Sequence, residues 1–512
     1  MKTLGQLLRE YLDNRAVAGG YSWDTNAISK YVEEVTYALL VMPAVAYVLT
    51  KSLLLTAILA VAPALPILLI IIWAEYSVDT VRSNVEWELP FFTVLLDVVH
   101  DVGGNITHAF EISGKVGLRW ISREWSIINR YALTTNSITK AMQLRARVHP
   151  SLEFQRFING YVSVWSYSGD VVNYVSNVEG TYLSMLSSRL SALSRQIIDA
   201  VLAVTSSIVI MVLFMIIVTV LGVSGALMYI LPSIALVIPA LILRVYISIP
   251  HIIRISIKHD RWMTMVLGVS VIISVLLMLY YGVYGMIALA LPPILFSILV
   301  TRGVDEMKNS ILSLPDLMRD VSEMVKAGVS MGAALERVLG NQYPSLLINY
   351  LRKATQFNDY NIDGSWVMKY AIGILREISS LGSPSKALDK LVRVFLDVKA
   401  LLMGINYNAR SLQILNYSLP FIFAGISYVS RFVVSMLSSV IENAQYSLVG
   451  LVIPSMNTVL APLMITAYII SLSLAILSSL LSDLTLNPSV RFMAPVPLTL
   501  VLMLMVTMNP IL

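Results

Sequence analysis

The sequence predicts an all-α polytopic membrane protein: about nine transmembrane helices and two duplicated cytoplasmic helical-bundle domains. Three observations carry this expectation. The 512 residues are 57% apolar, with a mean hydropathy of +0.76, well outside the range of an ordinary soluble globule. Charge-free apolar runs near the ~20 residues that cross a bilayer recur at 35–50, 53–74, 200–221, 225–243, 263–281, 284–300, 412–430, 457–481 and 493–511. Finally, the stretch from Ser313 to Val338 has a counterpart 225 residues earlier, with no gap between the copies.

At that offset Leu89, Pro90, Gly103, Ala109 and Glu111 fall on Leu314, Pro315, Gly328, Ala334 and Glu336. Both copies read alike. A Pro stands where the first turn of a helix tolerates a missing N–H. Apolar residues follow at helical spacing, Phe92, Leu96 and Val99 against Leu317, Val321 and Met324. A Gly then occupies the left-handed position that ends a helix, and two residues later Asn105 or Ser330 is placed to cap the next one. Each copy therefore predicts helix, tight Gly turn, capped helix.

The nine runs divide the chain. Residues 1–34 form a polar N-terminal segment with an amphipathic piece (Leu4, Leu7, Leu8, Tyr11) before Gly19-Gly20. A transmembrane hairpin follows at 35–74, with Pro63 and Pro66 expected to kink its second helix. The first helical domain covers 75–197, where Phe154, Phe157, Tyr161 and Trp165 share one face, and a long amphipathic helix leads back to the membrane. Then come a hairpin (198–243), a basic connection (244–262), a further hairpin (263–300), the second helical domain (301–411) and three C-terminal spans (412–512). In the second domain Gln356 to Trp366 reads as a loop, and a helix restarts near Pro384. The segment from Arg431 to Leu448 reads as amphipathic and interfacial.

Orientation follows from the basic residues. With residue 1 in the cytoplasm, only Lys51 and Arg431 of the 36 Lys and Arg fall on the far side, as the positive-inside rule requires. The start carries no signal peptide. The expected localisation is a multi-pass cell-membrane protein with its N-terminus and both helical domains in the cytoplasm.

Several chemistries are disfavoured. Cys is absent, which removes disulfides, thiolate metal sites and Cys nucleophiles. Gly114-Lys115 is followed by Val116 and lacks the upstream Gly of a phosphate-cradling loop. No Asp, Glu, Lys, Arg or His lies centrally in a span, where ion-coupled carriers need such a group. Asp97, His100 and Asp101 share a helical face, with His108 beyond, and could in principle hold a divalent metal. The second copy carries Ser322, Val325 and Lys326 there, so a solvated face is the better reading. The chain is expected not to be an enzyme, with no catalytic residue, no metal and no cofactor.

Basic groups are the candidates for partner binding. Lys386, Lys390 and Arg393 form a stripe after Pro384, and Arg254, Lys258 and Arg261 lie close to the membrane. An acidic protein face or anionic lipid would suit either set.

The L-P…G…A-x-E pattern, duplicated, with each copy followed by membrane spans, resembles the type II secretion F-like platform proteins of type IV pilus machines. The resemblance covers residues 88–222 and 313–430. Two preceding spans, the stretch ELPFFTVLLDVVHDVGGNITHAFE and nine spans in all are most similar to the archaeal branch, which serves archaella and adhesive pili. The resemblance implies a non-enzymatic platform that couples a cytoplasmic hexameric secretion ATPase to the insertion of pilin subunits. Its implied partners are that ATPase, pilins and membrane lipids, with a homodimer compatible with such an assembly and no nucleic acid. Pro90, Gly103, Glu111, Pro315, Gly328 and Glu336 are the repeat positions, read as structural. The second domain and the 244–262 connection are favoured over the first domain for ATPase contact because of their net positive charge. Between its first helix pair and Gly382 the second domain is about 12 residues shorter than the first up to Gly169. A transporter or permease component is the rival reading, and a lipid-modifying membrane enzyme is a third.

Overall fold

The structure, a computed structural model, describes residues 3–43, 45, 48, 51, 60–167, 169–220, 230–255, 261–340, 343–356, 364–381, 385–443, 456–485 and 489–508. Two compact units divide the chain: Met1–Leu186 with Ser380–Ala387, and Ser187–Ser379 with Leu388–Leu512. Among the described residues every regular element is helical. The one β-type pairing is an isolated bridge between Ile255 and Ser365.

In the first unit, α1 (Leu4–Gly19) begins with a capping box. The Gln6 N–H donates to the Thr3 hydroxyl and the Gln6 side chain accepts from the Thr3 N–H. The helix ends on Gly20 at φ 64°, where only Gly avoids the left-handed penalty. The helix α2 (Thr25–Leu40) is capped by Asp24. Both pack on α3 (Ala64–Asp101) around Leu8, Leu12, Val32 and Ala74. At 38 residues, α3 is ~57 Å long. Its start exposes Leu65, Leu68, Leu69 and Ile72, and from Glu88 to Val99 every residue is buried. The same helix is thus a lipid-facing span at one end and the core of a helical domain at the other.

Around that buried end lie α4 (Ile106–Ser113), α5 (Arg119–Thr135), α6 (Ile138–Val148), α7 (Leu152–Tyr167) and the start of α8 (Val171–Val220). Aromatic rings fill the centre. Phe92 meets Phe110 at 4.6 Å, Phe110 stacks on Trp125 at 5.1 Å, and Phe157 stands edge-on to Phe92 at 6.0 Å. Phe154, Phe157 and Tyr161 point inward as their spacing requires. Trp165, on the same face, is partly exposed and set edge-on to Tyr161.

The second unit takes α8 from Ser187 onward and adds α9 (Ile230–Ala235), α10 (Val237–Ser248), α11 (Arg261–Tyr281), a 3-10 turn (Tyr284–Ala290) and α12 (Leu291–Lys326). It continues with α13 (Met331–Val338), α14 (Ser345–Gln356), α15 (Trp366–Leu381), α16 (Ser385–Asn443), α17 (Met456–Asp483), α18 (Val490–Met493) and α19 (Pro495–Met508). The most enclosed span is in α17: 67% of its apolar window is buried, against 33% or less in the other candidate spans. Its buried Ser471, Ser473, Ser478 and Ser479 are small enough for neighbouring helices to approach closely, the usual device where lipid removes the hydrophobic drive. Polar ties join these helices. Tyr468 donates to the Leu289 carbonyl at 3.0 Å, Ser274 to Ala288 at 2.6 Å, and the Asn416 amide to Phe492 at 2.9 Å.

Seven helices are long and apolar enough to cross a membrane among the described residues, with a shorter apolar segment at Val490–Val506. The seven fall in α3, α8, α9–α10, α11, the 3-10 turn with α12, α16 and α17. The expected first span, 35–50, overlaps the end of α2, and much of the rest of it lies outside the described residues, as do 52–59 of the second.

Two expectations need correction. Pro90 and Pro315 do not begin helices. Each sits inside one, α3 and α12, which run unbroken from the membrane. An interior Pro costs ~3 kcal/mol, and burial of the apolar side chains beside it, at ~1.5–3 kcal/mol each, offsets this. Those neighbours are Leu89, Phe91 and Phe92 in α3, and Leu314, Leu317 and Met318 in α12. Likewise the segment from Arg431 is not a separate interfacial piece as far as Asn443: α16 continues through it without a break, and 444–448 lie outside the described residues.

Candidate functional site

The repeat is visible as geometry. Gly103 (φ 79°) and Gly328 (φ 88°) both take the left-handed conformation. Nothing lies within 4 Å of a Cβ added at either, so the backbone angle and not space demands Gly. The Gly104 N–H donates to Val99 O at 2.8 Å and the Val329 N–H to Met324 O at 3.0 Å. The Asn105 side chain accepts from the His108 N–H, and the Ser330 hydroxyl from the Ala333 N–H. Ala109 and Ala334 are fully buried, while Glu111 and Glu336 are exposed. Backbone and side-chain positions therefore agree across the offset of 225 residues.

The charged groups of the two domains differ. In the first unit Arg145 is wholly buried and forks onto Glu124, Nε to Oε2 at 2.6 Å and Nη2 to Oε1 at 3.1 Å. Its Nη1 donates to the Val17 carbonyl at 2.9 Å. Arg123 donates to the carbonyls of Gly19 and Gly20 at 2.8 and 3.2 Å and stacks over Tyr21. Two guanidinium groups thus satisfy the C-terminal carbonyls of α1, where the helix dipole favours cations. At the other side of α1, Glu75 accepts from Tyr11 and pairs with Arg15, both at 2.5 Å.

His149 completes the buried group. Its Nδ1 accepts from the Ser151 N–H at 3.0 Å, which leaves the proton on Nε2. That atom stands 3.7 Å from Glu124 Oε1, beyond hydrogen-bond reach. Burial pushes the imidazole below its usual value, so it is neutral at pH 7. Burial alone would raise the Glu124 carboxyl, but the His149 ring and the Arg145 fork outweigh it and hold the group at about 2. Glu88, also buried, accepts from the N–H groups of Trp120 and Ile121 at 2.8 and 3.0 Å and so seats the start of α5.

Among the described residues no three His, Cys, Asp or Glu are arranged to hold an ion. Asp97 is buried, and His100 Nε2 meets the Tyr161 hydroxyl at 3.2 Å. Burial lowers the His100 pKa against the pull of Asp97.

In the second domain the corresponding helix makes ion pairs at the surface. Asp389 accepts from Ser322 at 2.8 Å and from Lys326 at 2.7 Å. Lys399 pairs with Asp316 at 2.9 Å, and Tyr343 donates to Asp320 at 2.5 Å. The stripe expected nearby is only partly described: Arg393 is exposed, Lys390 half-buried, and the Lys386 side chain lies outside the described residues, as does Lys258. Arg261 is exposed at the start of α11. Arg254 turns back on its own chain, donating to the Ile249 and Ile247 carbonyls at 2.7 and 2.9 Å while covering Tyr246. Its segment is anchored where the Ile255 N–H donates to Leu484 O at 3.2 Å and where His251 meets the Trp366 ring. Nearby, the buried Asp483 at the end of α17 receives Lys308 at 2.9 Å and Arg491 at 3.0 Å.

The family match falls on the first of the two turns. Residues 92–219 match the family model described as Type II secretion system (T2SS), protein F. The likeness covers a quarter of the chain. No curated protein and no solved structure matches the chain. The matched span runs from the buried half of α3 into α8, so it takes in the Gly103 turn and the Glu124–Arg145 pair, and leaves α1 and α2 outside. The second copy lies outside the match.

The buried charges went unread in the sequence, although a signal was there. Ile121, Glu124, Trp125 and Ile128 share the apolar stripe of α5, and Arg145 sits among Ala141, Met142 and Ala146 in α6. A charge on the buried face of each of two neighbouring amphipathic helices points to a pair.

Proposed function

We propose that the chain is the membrane platform of an archaeal type IV pilus-like filament, coupling a cytoplasmic secretion ATPase to the insertion of pilin subunits. The observation that carries the reading is the duplicated helix, Gly turn and capped helix, whose first turn lies in the span that matches the protein F family model. Platform proteins of this family generally partner a secretion ATPase and pilins. The one-sided distribution of Lys and Arg supports a topology with the N-terminus and both helical domains in the cytoplasm. Domain limits at 75–197 and 301–411 belong to the same proposal.

For ATPase docking the proposal favours the second domain through Lys386, Lys390 and Arg393, with Arg261 and Lys258 of the basic connection. Arg254 contributes there by holding that connection in shape. The test is cross-linking in native membranes followed by purification of the tagged chain, with and without charge reversal at Lys386, Lys390 and Arg393. The expected outcome is co-purification of a secretion-type ATPase that the reversal abolishes. An intact protein that brings down neither ATPase nor pilin overturns the reading.

A further inference from the structure

A groove of about 370 Å³ opens between α8 and α10, lined by Leu193, Ile197, Ala200, Ala203, Leu241 and Arg244, with Gln196, Val204 and Val245 completing it. Two alanines one turn apart make the depression, and Arg244 is the charged member of the lining. Its depth in the membrane follows from the sequence. Asp199 is the last charge on α8 before the charge-free run 200–218, and Arg244 is the first after the charge-free run 230–243 on α9 and α10. The groove therefore lies across the boundary between headgroups and hydrocarbon. Ala200 and Ala203 are on the hydrocarbon side and the exposed Arg244 guanidinium is at the rim.

We propose that this groove is a binding site for one anionic membrane lipid, its phosphate on Arg244 and the upper part of a hydrocarbon chain over Ala200 and Ala203. A soluble anion would have no use for the apolar wall, and the volume is too small to enclose another helix. One turn of helix 10 Å across already fills ~400 Å³. A hydrocarbon chain beneath a charged headgroup matches both the narrow apolar floor and the single cationic rim. The guanidinium is suited to it because it can grip a phosphate with two parallel N–H bonds.

The test uses the full chain reconstituted in phosphatidylcholine vesicles, with spin-labelled phosphatidylglycerol or spin-labelled phosphatidylcholine as the probe and the motionally restricted fraction as the readout. Wild type is expected to prefer phosphatidylglycerol about fivefold, the equivalent of ~1 kcal/mol per juxtamembrane cation. Arg244→Gln should bring the preference below twofold. Ala203→Trp, which fills the floor, should shrink the restricted phosphatidylglycerol fraction while Arg244 is still present. Arg302→Gln removes an exposed arginine elsewhere and should leave the preference as in wild type. The proposal is overturned if wild type shows no preference, if the preference survives Arg244→Gln, or if Arg302→Gln lowers it as much as Arg244→Gln does. Should the Trp variant not fold, the two arginine variants decide the matter alone.

Discussion

The two helical domains share a Gly turn and differ in what they do with charge. In the first helical domain the ion pair is Glu124 with Arg145, both at 0% side-chain exposure. Near Gly328 it is Lys326 with Asp389, at 50% and 46%. One domain thus encloses a sealed ion pair, and the other keeps its pair at a solvated surface. A buried pair cannot be half-removed without leaving a bare charge in a poor solvent, whereas an exposed pair is screened and contributes little. The sealed domain also holds α1 by its carbonyl end, so the N-terminal segment is locked to it. The open copy leaves its polar groups facing outward, where a partner can reach them.

Breaking the sealed side should give the largest effect. Arg145→Leu strands Glu124 and frees the Val17 carbonyl, with an expected cost of ~3–5 kcal/mol. Thermal unfolding of the detergent-solubilised chain reads the loss, and limited proteolysis should cut first between α1 and α2. The double substitution Glu124→Leu with Arg145→Leu should recover much of the stability. If it does not, the pair is not the reason for the loss.

Gly103→Ala and Gly328→Ala test what the copies share. Each forces a side chain into the left-handed region, at ~1–2 kcal/mol, and neither meets a steric obstacle. The two should therefore destabilise by the same amount within ~0.5 kcal/mol. A large inequality would show that the turns are not equivalent.

Acid should separate the copies. His149 is held below its ordinary 6.5 by burial, so as pH falls through 6.5 the unfolded chain takes up a proton that the folded chain refuses. Stability is lost from that point down to the folded value. Glu124, at about 2 against an ordinary 4.5, contributes fully above 4.5 and loses its contribution as pH falls toward 2. Both act in the same direction. Hydrogen-exchange protection factors in α1, α5 and α6, corrected for the intrinsic slowing of exchange in acid, should fall between pH 7 and 5, and His149→Phe should abolish the change in that window while leaving the one below 4.5. Peptides from α12 and α16 should show no His-linked change.

The smallest effect is expected from Lys326→Ala. It removes an exposed pair worth ~1 kcal/mol or less, and a shift in the unfolding midpoint near the limit of detection is the expected reading. A loss approaching that of Arg145→Leu would mean that Asp389 is far less solvated than its exposure indicates.

Much of the architecture was legible from the chain itself because its signals are local. Helical periodicity, Gly at left-handed positions, Asn105 and Ser330 as caps, and the charge-free runs all act within a few residues, and the duplication can be read by eye. The tertiary structure decided the rest. Pro90 and Pro315 lie inside long helices because packing on both sides outweighs a local preference for starting a helix. Arg145 finds Glu124 across 21 residues and Val17 across 128, and Lys308 finds Asp483 across 175. Those contacts depend on which helix faces which. That is set by the sum of many small burial terms over whole surfaces, so no local stretch of sequence determines it.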